Sequence, residues 1–472
     1  MQALNRVFYI IYVALFGFIF TSTHVLAATP TQGKSALHFL TMTDLHFDPF
    51  TSCGKQIPCP LIQKMQATPA QQWATLLTAL DKNPPRYLAD SNFNLLHSTF
   101  IEASKVAELE QAQFIILLGD YLGHDLRTYY KKYSLDRSLV GYQSFIKKMM
   151  TFLTLQLREA FPGKDIYPVI GNNDSYQGDY FQEINGSFFR DLANLWGPLI
   201  QNQNERGQFN QTFLKGGYYA INAHGDPRLR IIALNTVLFS SSARGKQVLS
   251  AAEEELNWLR NELKHVKTNH QKALILMHIP PGIDVFATLR FRLFTLIEFW
   301  QKKNAKAFQA LLKENAEDIV GIFAGHLHSD WFQILTFPHS EFEIPLCGNP
   351  AVSPIFGNNP AFRSYQYSLD QQQLENYITY YYSIRQKGFW KKEYDFNATY
   401  NPNCKDCKIL TGMKSFERTD QYEIIYKNYY SVGERVQPIV NKFKPYYACA
   451  RRYLDASEYL ACLKLMKPLS GA

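Results

Sequence analysis

Past Ala27 the 472-residue chain has no apolar run that approaches the length of a transmembrane helix, which excludes a multi-span membrane protein. Charge is modest as well. Forty-nine basic against 41 acidic residues leave a formal net charge of +8, and the basic residues sit in pairs such as Lys131-Lys132, Lys147-Lys148, Lys391-Lys392 and Arg451-Arg452. No basic arm exists, so a dedicated nucleic-acid binder is not indicated, while a weak peripheral attraction to anionic substrates or membrane surfaces stays open. Cysteine is scarce, at seven residues, and only Cys404 and Cys407 have metal-type spacing, with no second ligand pair nearby to make a thiolate zinc site.

The residues that are abundant describe a large folded protein. With 46% hydrophobic and 15% aromatic residues, the chain can bury one sizeable core plus an appendage. Arg6, the apolar stretch Val7 to Phe20 and the small-residue pattern Val25-Leu26-Ala27 read as a signal peptide over residues 1–27, with an uncleaved anchor as the alternative. Export to a periplasm or out of the cell follows, and in an oxidising compartment cysteines pair. The local pairs are Cys53 with Cys59 and Cys449 with Cys462; Cys404 and Cys407 pair with each other or form a redox motif, and Cys347 is left over, buried as a small apolar residue.

Five short motifs each follow an apolar, β-rich run: Asp44-Leu45-His46, Gly119-Asp120, Gly171-Asn172-Asn173-Asp174, Met277-His278-Ile279-Pro280 and Gly325-His326-Leu327-His328. Oxygen and neutral imidazole donors suit borderline divalent ions such as Zn, Mn, Fe or Co. Asp44 and His46, two apart on a strand ending, point the same way, and His326 and His328 repeat that spacing. A carboxylate has two oxygens, which makes Asp120 the natural bridge between two ions at the ~3.5–4 Å separation of two-metal phosphoesterases. Asp48 and Asp174 read as turn residues that orient neighbouring ligands. His97, His224, His265, His270 and His339 have no matching context.

In these motifs, over about Leu37 to Ser329, the chain resembles the calcineurin-like metallophosphoesterases. Within them it looks most similar to the acid sphingomyelinase-like phosphodiesterases, through Asp44-Leu45-His46-Phe47-Asp48, Gly119 to Asp125 and Gly357-Asn358-Asn359-Pro360-Ala361-Phe362-Arg363. The resemblance implies two divalent ions, Zn first, with Asp44, His46, Asp120 and His328 around one, and Asp120, Asn172, His278 and His326 around the other. It implies hydrolysis of a phosphodiester or phosphoanhydride by metal-activated water, with His124 near the phosphate as proton donor. Where most members carry a histidine after the ligand asparagine, Asn173 stands here, as in a similar block of fungal endopolyphosphatases. Asparagine is no general acid, but its amide can donate to a phosphoryl oxygen, so Asn172 and Asn173 are expected to position phosphate.

Alternating β and helical segments argue for an α/β fold. Strands are predicted at His38 to Thr43, Phe114 to Leu118, Ile166 to Ile170, Tyr218 to Asn222, Leu229 to Asn235, Ala273 to Met277 and Gly321 to Ala324, with helices at Glu253 to Lys264 and Ala305 to Lys313. The resemblance adds two mixed β-sheets packed face to face and flanked by helices, in a catalytic domain over 35–355. Residues 356–472, rich in Tyr, Gln and Lys, read as a mainly helical accessory domain. Within it Asp370 to Arg385 is expected to be helical, its tyrosines either packing or lining substrate, and Asn359 and Arg363 are expected to face the cleft. Substrates consistent with this reading are phospholipid or nucleotide diesters, with a phosphatase or polyphosphatase as the alternative. No saposin-type cysteine-rich segment precedes the motifs, which lowers the case for sphingomyelin itself. A non-catalytic exported metal-binding protein fits less well, because all seven ligand positions are intact.

Overall fold

The computed structural model describes residues 36–290, 295–386, 388–404, 407–416, 420–433 and 443–466; the expected signal peptide lies outside them. Twelve strands make two six-stranded sheets. The first contains β1 (Ala36–Met42), β2 (Phe114–Leu117), β3 (Asp165–Pro168), β10 (Ala361–Ser368), β11 (Gln373–Tyr382) and β12 (Trp390–Asp395), in the order β12-β11-β10-β1-β2-β3. The second contains β4 (Tyr219–Ala223), β5 (Asp226–Ala233), β6 (Lys272–Leu276), β7 (Ile319–Ala324), β8 (Trp331–Leu335) and β9 (Ile344–Gly348), in the order β4-β5-β6-β7-β9-β8. Each is mixed: β1, β2 and β3 run parallel, as do β5, β6, β7 and β9, and the remaining pairings are antiparallel.

The central parallel strands are mostly buried, as their apolar runs require. Phe114-Ile115-Ile116-Leu117 of β2 is inaccessible along its whole length. The sheets meet face to face through aromatic side chains: Phe39 of β1 lies 6.0 Å from Phe323 of β7, and Phe323 lies 4.4 Å from Tyr365 of β10. Gly321 of β7 leaves room for Leu374 of β11, because a Cβ there would come within 2.6 Å of the leucine side chain. Helices such as Leu139–Ala160 and Val248–Thr268 cover the outer faces with one apolar side each.

All seven expected strands and both expected helices are present. The region beyond residue 355 is helical from Phe396 onward, as expected, but its first part is not. Asp370 to Arg385 is not a helix: β11 occupies Gln373–Tyr382 and pairs with β10 and β12, so half the strands of the first sheet come from beyond the 355/356 boundary. Its burial alternates, with Tyr377, Thr379 and Tyr381 inside, the two-residue period that Tyr, Ile and Thr favour in a half-buried strand. A separate helical layer begins only at Phe396, with Phe396–Tyr400, Ile409–Phe416, Asp420–Tyr430, Lys444–Arg452 and Ala456–Met466.

Arg363 and Asn359 do not face the cleft either. Arg363 is 0% exposed, pairs with Asp330, donates to the Gly348 carbonyl at 3.0 Å and lies over the Tyr377 ring. Its charge ties β10 of one sheet to the start of β8 in the other. Asn359 donates to the Val432 carbonyl and accepts from the Ile384 amide, which joins the strand-rich and helical parts. Disulfides join Cys53 to Cys59, Cys404 to Cys407 and Cys449 to Cys462, while Cys347 is free and buried. Among the described residues no helix is long and apolar enough to cross a membrane.

Candidate active site

Each motif lies just past the C-terminal end of a parallel strand: Asp44 and His46 after β1, Asp120 after β2, Asn172 after β3, His278 after β6, and His326 and His328 after β7. Strands from both sheets therefore deliver their ends to one place. The reason the side chains converge is not the strand alternation expected from the two-residue spacing. Asp44, His46, Asp120, His326 and His328 all have positive φ, between 41° and 70°, so the chain has left the strand and turned sharply. A non-glycine residue in this region costs on the order of 1–3 kcal/mol and persists only where its surroundings enforce it. Close approach does so here: a Cβ on Gly119, itself at φ 94°, would lie 2.8 Å from both the Gly171 amide nitrogen and the His278 ring.

Six of the seven expected ligands form two adjoining clusters, Asp44 with His46 and His328, and Asp120 with His278 and His326, and Asn172 stands beside the second. His46 Nε2 is 3.1 Å from His328 Nε2, and Asp44 Oδ1 is 3.5 and 3.3 Å from those two nitrogens. Asp120 Oδ2 stands between the clusters, 3.5 Å from His46 Nε2 and 3.2 Å from His278 Nε2. Asn172 Oδ1 is 3.0 Å from His278 Nε2. In His46 and His278 the other ring nitrogen is engaged, His46 Nδ1 with the Leu122 carbonyl at 3.1 Å and His278 Nδ1 with the Leu118 carbonyl at 2.7 Å, which leaves their Nε2 atoms facing inward.

This donor set suits divalent cations. Asp44 Oδ1 is buried with no hydrogen-bond donor, in the midst of imidazole nitrogens. Burial alone would lower the pKa values of His46 and His278, yet Asp44 and Asp120 raise them to about 10 and about 9. Burial likewise opposes ionisation of Asp44, but His328 and His278 hold it well below the usual carboxylate range. The pocket is thus built around two carboxylates that demand positive charge, which two cations in place of protons would supply.

Around the clusters, Asp174 accepts from the amides of Asp120, Tyr121, Leu122 and Gly171 at 2.8–3.2 Å, clamping the second and third motifs together, and Asp48 caps Phe50. Asn172 donates to Asp179 at 2.7 Å, which aims its carbonyl oxygen at His278. The Asn173 backbone and side-chain amides donate to the two Asp120 oxygens at 2.8 and 2.9 Å. His124 stacks on His46, with centroids 4.3 Å apart, and its Nδ1 and backbone amide both engage Asp90, at 3.1 and 2.7 Å.

Asp90, Phe356 and Tyr180 escape the sequence reading. Asp90 precedes the helix Phe93–Leu109, whose N-cap is Asn92, and nothing in Ala89-Asp90-Ser91 resembles a motif. Phe356 packs edge-on against His328 and His124, at 4.6 and 5.7 Å, and Tyr180 Oη lies 3.5 Å from His326 Nε2. Phe356 and Tyr180 stand near motif residues in sequence, whereas Asp90 gives no advance signal.

Known proteins resemble this chain. The chain is 26% identical over 395 residues to human cyclic GMP-AMP phosphodiesterase SMPDL3A, covering 80% of this chain and 81% of that protein. It is 22% identical over 459 residues to mouse acid sphingomyelinase-like phosphodiesterase 3b, covering 93% and 92%. Among solved structures, a dimetal phosphatase from Danio rerio aligns with TM-score 0.41 and 12% identity, covering 76% of this chain and 97% of that one. Residues 37–330 match the calcineurin-like phosphoesterase family, the span that holds every motif. The chain therefore belongs to the calcineurin-like phosphoesterases and is a metal-dependent phosphoester hydrolase.

Proposed function

We propose that the protein is an exported two-ion hydrolase of phosphodiesters and phosphoanhydrides, with Asp44, His46 and His328 holding one divalent ion, Asn172, His278 and His326 the other, and Asp120 shared. The observation that carries this reading is the placement of Asp120 Oδ2 between His46 and His278, within 3.5 Å of both. When bound, two such ions activate water and neutralise charge on phosphoryl oxygens. Zn fits the oxygen and imidazole set, as do Mn, Fe and Co. Three disulfides fit an oxidising compartment, which supports export.

The remaining chemistry falls to the chain itself. Asp90 accepts from His124 Nδ1 and so leaves Nε2 as the atom that carries a proton to the departing oxygen. Such a donor is worth roughly 100–10,000-fold, chiefly for leaving groups that are poor without a proton. Asn173, bound to Asp120, holds the shared carboxylate in position and supplies no second acid. With His124 as sole donor, phosphoanhydrides and activated or nucleotide esters are favoured over unactivated alkyl diesters such as a phospholipid. A panel of bis-p-nitrophenyl phosphate, p-nitrophenyl phosphate, ATP, polyphosphate and sphingomyelin, on metal-analysed protein, tests this. Turnover of sphingomyelin above ATP and polyphosphate would reverse the preference, and failure on every substrate would remove the hydrolytic reading.

A further inference from the structure

The loop that carries Asp179 and Tyr180 is held in place by a short basic segment, Arg244-Gly245-Lys246, which supplies nothing to either cluster. The Arg244 amide donates to the Tyr180 carbonyl and the Gln182 amide to the Arg244 carbonyl, both at 2.8 Å, so the two stretches run side by side at Phe181. Only glycine permits that approach. Gly245 has φ 127°, and a Cβ there would collide with the Gln182 carbonyl oxygen. On its other side the loop is fixed to the third motif: the Tyr180 amide donates to the Asn172 carbonyl at 2.8 Å, and Asp179 accepts from the Asn172 side chain at 2.7 Å. Arg244 is therefore set one pinned loop away from a residue of the second cluster.

The two cations of this segment are exposed. Neither Arg244 nor Lys246 makes a side-chain hydrogen bond, ion pair or ring contact with any described residue. An arginine kept to neutralise a carboxylate closes a forked pair with it. Arg244 forms no such pair with Asp179, yet its charge is felt there: burial raises the Asp179 carboxyl, and the Asn172 hydrogen bond, His124 and Arg244 oppose the rise. Tyr180 adds a hydroxyl 3.5 Å from His326 Nε2. This rim thus combines a fixed hydroxyl with a planar cation whose donors are open.

In-line displacement sends the leaving oxygen toward the proton donor, His124, which stacks over the first cluster. What stays on phosphorus faces the other rim. We infer that Arg244 is a specificity-determining residue that grips an anionic group on the retained side of the scissile phosphorus, the next phosphate of a phosphoanhydride chain; this rests on the two-ion reading and names the substrates it favours. A guanidinium meets two phosphate oxygens at once, in a geometry that an ammonium cannot copy. Lys246 adds attraction of longer range, limited by the screening length of about 8 Å at physiological salt. A neutral aryl or alkyl group in the same place would leave the guanidinium without a partner.

The test compares the wild type with Arg244→Gln and Arg244→Lys, all loaded with metal, on tripolyphosphate and on bis-p-nitrophenyl phosphate, which has no second phosphate. Arg244→Gln should raise KM for tripolyphosphate about tenfold or more, the scale of a hydrogen bond to a charged group, with KM for the aryl diester nearly unchanged. Arg244→Lys, which keeps the charge and loses the fork, should recover part of that loss. Calorimetric binding of methylenebisphosphonate and methylphosphonate, with metal content checked after each titration, supplies a readout without turnover, in which Arg244→Gln should weaken the bisphosphonate selectively. Equal losses on both substrates would make Arg244 a brace for the Asp179 loop, and an unchanged KM for tripolyphosphate would deny it a substrate contact; either result overturns the inference alone. A wild type that hydrolyses neither substrate defeats the two-ion reading and this inference with it.

Discussion

The two clusters that meet at Asp120 each hold two histidines, differ in Asp44 against Asn172, and are walled differently. Asp44, His46 and His328 are almost wholly inaccessible, and above them lie the His124 imidazole and the Phe356 ring. Asn172, His278 and His326 are bordered by Asp179, Tyr180 and Phe299, and His326 is half-buried. One wall presents an imidazole and a phenyl ring; the other presents a hydroxyl and a carboxylate. The difference teaches that near-identical donor sets can sit in unlike surroundings, because the walls come from other parts of the chain.

Removal of the shared group should erase the comparison altogether. Asp120→Asn is expected to lower kcat on the order of 10³-fold, the scale of losing a pre-organised electrostatic stabiliser, and to reduce bound metal in both clusters. Turnover and metal content like those of the wild type would take Asp120 out of the bridging position. The next largest effect separates the walls. His124→Ala should slow an alkyl diester about 100-fold or more, and ATP or polyphosphate much less, because only the alkoxide needs a proton. Equal slowing of every substrate would place His124 in phosphate binding instead.

Asp90→Asn should resemble His124→Ala in pattern but not in size. Losses of about 10–100-fold, the range for partners that orient a functional histidine, are expected in kcat for poor leaving groups, with KM little changed and a displaced pH–rate profile. A uniform change in KM would make Asp90 a packing residue of the turn at Ser353, whose hydroxyl donates to it at 3.2 Å. The smallest effect belongs to Asn173. With its two hydrogen bonds to Asp120 reduced to the backbone one, Asn173→Ala should weaken metal affinity about tenfold and leave kcat at saturating metal close to the wild type. A fall in kcat at saturating metal would return Asn173 to the phosphate itself.

Much of this was readable in advance, and the reasons are local. The runs before each motif are continuous and apolar because central parallel strands are buried on both faces, so β1, β2, β6 and β7 announce themselves. The ligands stand beside them at short fixed spacings. β11 was misread because Gln, Glu and Asn interrupt its exposed face and its tyrosines, crowded at Tyr380, Tyr381 and Tyr382, satisfy either period over so short a stretch. Arg363 is expected at the cleft because the resemblance places its segment near the active site; its partner, Asp330, is 33 positions away in sequence and stands just before β8 of the other sheet.

By itself, then, the sequence determined the donor atoms, their order along the chain, the strands that carry them and the pairs of nearby cysteines, since each depends on residues within a few positions of one another. Tertiary structure alone decided what surrounds those donors. Asp90 reaches His124 across 34 positions, and Phe356 reaches His328 and His124 by a turn anchored to the backbone of the first motif. Such contacts leave no periodicity or spacing behind, because they arise where strands from two sheets end at the same point and their connecting loops must pack over it.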